Sequence, residues 1–423
     1  MYQHMVPAKI LHRTIVILIA LYCTSCSVQP FQAKFKSSKN LYNSQFKKQL
    51  QQNKHEEKRF HGKNRLLWLF NQCSISQYAH EFSESNHYCQ TAEQLAENLS
   101  TESVSENIHA YLTNSNAKSY AGETYERQLL HALGMINYAV LHNQSEALVE
   151  SRKLDIATGT NLRRNISLEE SLGRYLSALL YESEGHMDSA LIDYRIAFHG
   201  YLQNHEKLGL AFPSIIGNDL LRAFSLMDMH NEYESYKSKY FLAEPIYPMD
   251  EDHGEVVIII GAGFAPYRVT EYYADDNELL PLGVYHKRSP LVHRAFASVS
   301  NKKDRQIATK VYDASLTIKQ LQNSEITRMV ESEELGFIAN SDFEKYGGEF
   351  SDFDPIISEE LADVRSWSTL PGAIQLLRLS LPVGKQNIAV KYYSYYGEAV
   401  YKQMIQNVLV KQNKRTFVYV KVP

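Results

Sequence analysis

The sequence predicts an α+β protein: a solenoid of helical hairpins followed by a β-rich domain with some helix. Two observations carry this expectation. From residue 61 to about 245, apolar residues recur at helical spacing in segments joined in pairs by short polar turns. After about residue 250 the texture changes to β-branched and aromatic runs of alternating polarity, interrupted by Pro, Gly and Asn turn signals. A chain of 423 residues, 44% hydrophobic and 22% charged, is long enough for two or three buried cores. Its formal net charge of −4 gives no global drive toward nucleic acid, and none is expected as a partner.

Residues 1–25 read as a signal peptide. Lys9, His12 and Arg13 precede the apolar run from Thr14 to Tyr22, which is too short to span a bilayer and is followed by Cys23-Thr24-Ser25-Cys26. A cysteine directly after two small residues resembles the signal of bacterial lipoproteins, which implies that Cys26 carries a lipid anchor. Such signals usually have Leu three residues before the lipidated cysteine, and Cys23 stands there instead. Ser27, where inner-membrane retention typically needs Asp, favours the outer membrane, facing the periplasm. The Cys23-x-x-Cys26 spacing also fits a redox or metal motif, but its place in the signal removes that reading.

Residues 26–60 are polar, lysine-rich and poor in large apolar residues. They read as a tether, partly helical near its end, whose lysines could alternatively contact anionic lipid or cell wall.

Across residues 61–245 the paired segments turn near Ala79-His80-Glu81, around Asn143-Gln144 and around Gly185-His186, with a weaker pair within 218–241. The third pair is the clearest. Tyr175, Ala178, Leu179 and Tyr181 lead to its turn, and Ala190, Leu191, Tyr194 and Ala197 leave it at i, i+3, i+4 spacing. Small residues at Ala178, Ala190 and Ala197 let two helices approach closely. These pairs are similar to degenerate tetratricopeptide-type hairpins, which must stack to bury their apolar faces and usually present a concave binding surface. Cys73 and Cys89 lie at equal distance from the first turn. They are either a disulfide across the hairpin or two small buried thiols, since a bridge needs a Cα separation of about 4.4–6.8 Å. Both readings are structural.

In residues 250–423, strands are expected in 254–260, 271–287, 292–299, 305–316, 373–394, 400–412 and 414–422, and a helix in 324–340. Pro382-Val383-Gly384 is a turn, and Lys411 to Lys414 a hairpin tip.

Gly261-Ala262-Gly263 after the apolar run 256–260 looks like the start of a dinucleotide site. The third glycine of that fingerprint is Pro266 here, and the residues after it are β-branched and aromatic rather than amphipathic-helical. The glycines therefore read as a strand end and a tight turn. No nucleophile elbow, zinc-protease helix or phosphate loop is present, and the 16 histidines show no ligand-like spacing. The expectation is a non-enzymatic protein without a metal or cofactor.

Two segments, 174–198 and 362–384, with the 254–266 strand and turn between them and 64–70 ahead, resemble an uncharacterised family of bacterial lipoproteins. The family signature Asp-x-Arg-Ser-Trp-x-x-Leu-Pro maps onto Asp363, Arg365, Ser366, Trp367, Leu370 and Pro371, and its turn onto Gly263, Ala265 and Pro266. Phe264 stands where members more often have Leu. The resemblance implies a tetratricopeptide-like N-terminal half, a β-rich C-terminal half and an envelope location, and implies no chemistry.

Asp363, Arg365 and Trp367 are the candidate interaction patch, an Arg and a Trp close together being suited to an interface. Alternatively Trp367 plugs the junction between the halves, with Asp363 and Arg365 paired beside it. In 391–401, Tyr393 and Tyr395 would share one face of a strand and Tyr392 and Tyr396 the other; exposed, they suit sugar stacking or protein docking. The expected function is that of a non-catalytic, periplasm-facing scaffold binding protein partners through its hairpins. The alternative is a binder or regulator of peptidoglycan or its synthases through the aromatic β-domain.

Overall fold

The computed structural model describes residues 39–60, 62–106, 119–158, 165–243, 252–275, 278–299, 306–318, 321 and 363–423. Cys26, the signal segment and the helix expected in 324–340 lie outside the described residues. Helices come first and strands second, so the architecture is α+β as expected.

The supposed tether contributes to the fold. Helix α1 (Lys39–Tyr42) and helix α2 (Phe46–Glu56) bury Leu41, Phe46 and Leu50, with the Phe46 ring 5.4 Å from that of Tyr78. Phe46 and Leu50 are one helical turn apart, enough for a narrow apolar stripe that composition alone underweights. The packed chain therefore begins before residue 61.

Eight helices form four hairpins. They are α3 (Arg65–Tyr78) with α4 (Phe82–Glu106), α5 (Thr124–Val140) with α6 (Gln144–Thr158), α7 (Leu168–Ser183) with α8 (Met187–Leu208), and α9 (Ser214–Leu226) with α10 (His230–Tyr240). Each turn falls where the periodicity breaks. All four close in the same way, with one residue in left-handed conformation: His80, His142, Gly185 and Asp228. The next residue then donates its N–H to a carbonyl in the last helical turn, to Ser76, Tyr138, Tyr181 and Phe224 respectively, each at 2.9 Å. This closure satisfies the orphan carbonyls of the first helix and sets the reversal. It is the common element that irregular spacing hid. Ala178, Ala190 and Ala197 are fully buried where α7 and α8 meet.

The strands form two sheets and a separate hairpin. Sheet one has the order β10 (Arg415–Val422), β1 (His253–Ala262), β7 (Ala373–Pro382), β6 (Thr309–Asp313), with β1 and β10 parallel and the rest antiparallel. Sheet two has the order β5 (Gln306–Ile307), β4 (Arg294–Val299), β8 (Gly384–Tyr393), β9 (Ala399–Val410). Strands β2 (Tyr267–Asp275) and β3 (Glu278–His286) pair alone. Residues 411–414 are a turn, but β9 and β10 belong to different sheets, so it is a corner between layers rather than the tip of a ladder.

Strand β1 is buried on both faces, which is why its sequence is an unbroken apolar run. Val256, Ile258 and Ile260 pack against sheet two; Val257 and Ile259 pack against the helices. The helical core continues without a break into sheet one through Tyr312, Trp367, Leu376, Phe417 and Tyr419. The helices thus share one core with sheet one, and a second core lies between sheet one and sheet two, giving three layers, helices over sheet over sheet. Among the described residues, no helix is long and apolar enough to cross a membrane.

The glycine turn is explained by packing. A Cβ on Gly261 would stand 2.4 Å from the Tyr419 hydroxyl, and Gly263 combines a φ of +58° with a Cβ position 2.8 Å from Pro290. The chain continues into strand β2, so no helix begins after these glycines to offer its N-terminus to a phosphate. Instead the Gly263 carbonyl accepts a hydrogen bond from Lys421 Nζ at 2.6 Å, with the Phe264 ring 4.2 Å from the ammonium. Desolvation lowers the Lys421 pKa to about 7, with Arg288 adding repulsion.

Candidate functional site

Three helices of the first two hairpins build an open groove. On α4, Asn86, Cys89, Glu93 and Glu97 share one face at i, i+3, i+4 spacing, and α5 presents Arg127, His131 and Gly134 to it. Glu93, Ala96 and Glu97 of α4, Arg127, Gln128 and His131 of α5 and Ala157 of α6 line about 310 Å³, and Asn86, Cys89 and Gly134 line a smaller space of about 10 Å³ beside it. Small residues, Ala96 and Ala157, leave the space; Arg127, Gln128 and Glu93 supply hydrogen-bonding edges.

One wall of the groove is an ionic cluster. His131 Nδ1 lies 3.0 Å from Glu150 Oε2 and 3.9 Å from Glu93 Oε1. Lys153 Nζ holds the other oxygen of each carboxylate, at 2.6 Å from Glu93 Oε2 and 3.0 Å from Glu150 Oε1. Burial pushes the Glu150 carboxyl up, but the hydrogen bond with His131 and the Lys153 ammonium outweigh it and hold it below its ordinary range. Burial likewise lowers Lys153, and its hydrogen bond to Glu93 and the field of Glu150 reverse the direction. Gly134 makes this arrangement possible. A Cβ there would lie 3.1 Å from Glu150 Cγ, so the glycine, costing about 1 kcal/mol in a helix interior, admits the acid.

Cys73 and Cys89 are bonded, with a Cα separation of 5.1 Å. The bridge ties α3 to α4 beside the groove. Closing a loop of sequence separation 16 is worth about 3 kcal/mol through the unfolded chain. Cys89→Ser, or reduction, is therefore expected to lower the urea unfolding free energy by about 2–4 kcal/mol. An unchanged midpoint under reductant would show the bond to be dispensable.

The candidate patch is not a surface. Trp367 is 1% exposed and stacks on Phe70 of α3 at 4.5 Å, its indole N–H donating to Ser74 Oγ at 3.2 Å. Its backbone N–H donates to Glu126 of α5 at 2.6 Å. Thr369 Oγ1 donates to Asn71 Oδ1 at 2.7 Å, and its carbonyl accepts from the Tyr78 hydroxyl at 2.6 Å. Asp363 and Arg365 pair with each other, and Arg365 lies over the Tyr120 ring at 5.4 Å. Of the two readings the sequence allowed, the structure takes the plug: residues 366–370 are a buried clasp between the halves.

Tyr393 and Tyr395 do not share a strand face either. Strand β8 ends at Tyr393, and Tyr395 and Tyr396 occupy the following turn, 74% and 87% exposed. Tyr392 is fully buried.

A second polar cluster went unread. Glu255, Arg378 and Arg415 of sheet one meet Glu182 of α7 and Asp219 and Arg222 of α9. Three acids and three arginines balance in charge. Arg415 Nε donates to Glu255 Oε2 at 2.5 Å and its Nη1 to the Leu179 carbonyl at 2.7 Å. The Tyr175 hydroxyl donates to Asp219 at 2.7 Å and that of Tyr194 to Glu182 at 2.5 Å. Burial opposes ionisation of Glu255, but Arg378 and Arg415 hold its pKa down at about 2. Saturated in this way, the cluster joins the layers. No sequence spacing could have signalled it, because its members come from five separate elements.

The class these features define is an α+β chain of helical hairpins packed on a two-layer β-structure, with an open groove between α4, α5 and α6. No family model, curated protein or solved structure matches the chain.

Proposed function

We propose that this protein is a non-catalytic, lipid-anchored envelope scaffold that holds a segment of a protein partner in the groove formed by α4, α5 and α6. The observation that carries the reading is the groove itself: about 310 Å³, lined by small residues and hydrogen-bonding side chains of three helices. The signal reading of Cys26 supplies the anchor and the periplasmic orientation. Placing a photo-crosslinking residue at Arg127, and in a second variant at exposed Lys385, tests it in cells. One discrete protein adduct from position 127 only is expected, reduced by Cys26→Ala. Equal labelling from both positions, or from 385 alone, would remove the groove from the function.

A second reading rests on Tyr395 and Tyr396, two exposed rings on one turn, with the His293 ring 5.1 Å from Tyr395. Such rings present a large apolar face with a polar hydroxyl, which suits stacking on sugars. If the protein binds peptidoglycan, the double variant Tyr395→Ala/Tyr396→Ala should lose cosedimentation with it at unchanged thermal stability. Retention by the variant would leave the groove as the functional surface.

A further inference from the structure

We propose that Glu93, His131 and Glu150 form a binding site for a divalent transition-metal cation of the zinc type, with Asn86 beside it to hold a metal-bound water. The site stands independently of the scaffold reading.

The donor atoms come from three helices, α4, α5 and α6, and all lie within 4.8 Å of one another. Oxygen and nitrogen ligands bind zinc at about 2.0–2.2 Å, so in a tetrahedral site they stand about 3.4 Å apart. The observed separations of 3.0 Å and 3.9 Å from His131 Nδ1 bracket that value. An imidazole nitrogen with two carboxylates selects a first-row transition ion over calcium or magnesium, which take all-oxygen sets.

A second observation concerns Asn86. It is 5% exposed and lines a cavity of about 10 Å³ together with Glu93, His131 and Glu150. That volume is about one water. Asn86 Oδ1 accepts a hydrogen bond from Asn137 Nδ2 at 2.9 Å, which fixes the amide and leaves its Nδ2 for the cavity. Nδ2 has no hydrogen-bond partner among the described residues. Such a buried donor calls for an oxygen in the cavity, and water as the fourth ligand of the metal supplies one.

Lys153 holds the place of a cation at the two carboxylates when no metal is bound. It engages Glu93 Oε2 and Glu150 Oε1, whereas Oε1 of Glu93 and Oε2 of Glu150 face His131. Its positive charge weakens the site, so removal of the ammonium should strengthen metal binding. A mere ion-pair cluster predicts the reverse, a loss of stability with no metal affinity gained.

Calorimetric titration of the full-length chain, stripped with chelator, with Zn²⁺ tests the site. One saturable equivalent is expected, with a rise in melting temperature. Co²⁺ should give the intense visible absorption of a tetrahedral site. His131→Ala should abolish that equivalent and Asn86→Leu should weaken it about tenfold, whereas Lys153→Met, which removes a cation competing for the same two carboxylates, should tighten it. Calcium should not compete. Absence of saturable Zn²⁺ binding in both the parent and Lys153→Met would overturn the proposal, as would binding undiminished in His131→Ala. Lys153→Met leaves all three ligands in place, so it keeps the test meaningful should a ligand variant fail to fold.

Discussion

Trp367→Ala is expected to cost about 3–5 kcal/mol of unfolding free energy, the range for a large aromatic side chain removed from a packed core. The residue is 1% exposed, stacked on Phe70 at 4.5 Å, and donates its indole N–H to Ser74. Alanine would leave a void where the helices, sheet one and residues 366–370 meet. Trp367→Phe should keep most of the stacking and lose chiefly one hydrogen bond, about 1 kcal/mol. Urea unfolding followed by far-ultraviolet dichroism and by tyrosine fluorescence measures both. The shared core predicts coincident transitions for the two probes in parent and variants. Separate transitions for the helical and β-rich halves would contradict a core shared between them.

The second large effect belongs to Glu255. Removing one partner from a buried, balanced ionic cluster strands the others, so Glu255→Ala is expected to cost about 3–5 kcal/mol. The same residue imposes an acid limit. Its folded pKa of about 2 lies below the ordinary 4.5. Its contribution is therefore complete above the unfolded value and is lost as pH falls from about 5 through 2, amounting to about 3 kcal/mol. Glu126 acts with the opposite sign. Burial pushes its pKa up to about 7, against hydrogen bonds from the Tyr120 hydroxyl and the backbone N–H groups of Trp367 and Glu123. Between the unfolded and folded values the folded state binds more protons, so this group lowers stability as pH rises from about 4.5 to 7. Taken by themselves the two groups favour a stability maximum near pH 5. Glu182, whose burial is outweighed by Arg415 and Arg222 so that it is held well below its ordinary range, adds to the acid limb, and Lys421 adds stability only above about pH 7. Urea midpoints measured from pH 3 to 8 check this: Glu255→Gln should flatten the acid limb alone. An acid limb unchanged in that variant would assign the acid sensitivity to other carboxylates.

The hairpins were legible because helical periodicity and polar turns are local properties, and each predicted break coincides with a left-handed closing residue. Strand β1 was legible as a strand from its unbroken apolar run, and the structure adds that it is buried on both faces. The groove was not legible. Glu93, His131, Glu150 and Lys153 stand on three helices, and none of their spacings along the chain resembles a motif. Gly134, a glycine inside a helical pattern, was the one local sign that something approached α5 closely.

By itself, then, the sequence determined the order of helices before strands, the positions of three reversals with a weaker fourth pair, and the glycine turn that no helix follows. It also restricted Cys73 and Cys89 to structural roles. Tertiary structure alone decided that the two halves share a core, that Trp367 is a clasp and not a contact surface, that Cys73 and Cys89 are bonded, and which acids and bases meet. The physical reason is range. Backbone conformation and amphipathicity are set by neighbours a few residues away, whereas burial of a tryptophan or convergence of three carboxylates on three arginines depends on how distant elements pack. That packing is selected by the total apolar surface removed from water, to which no single stretch of sequence corresponds.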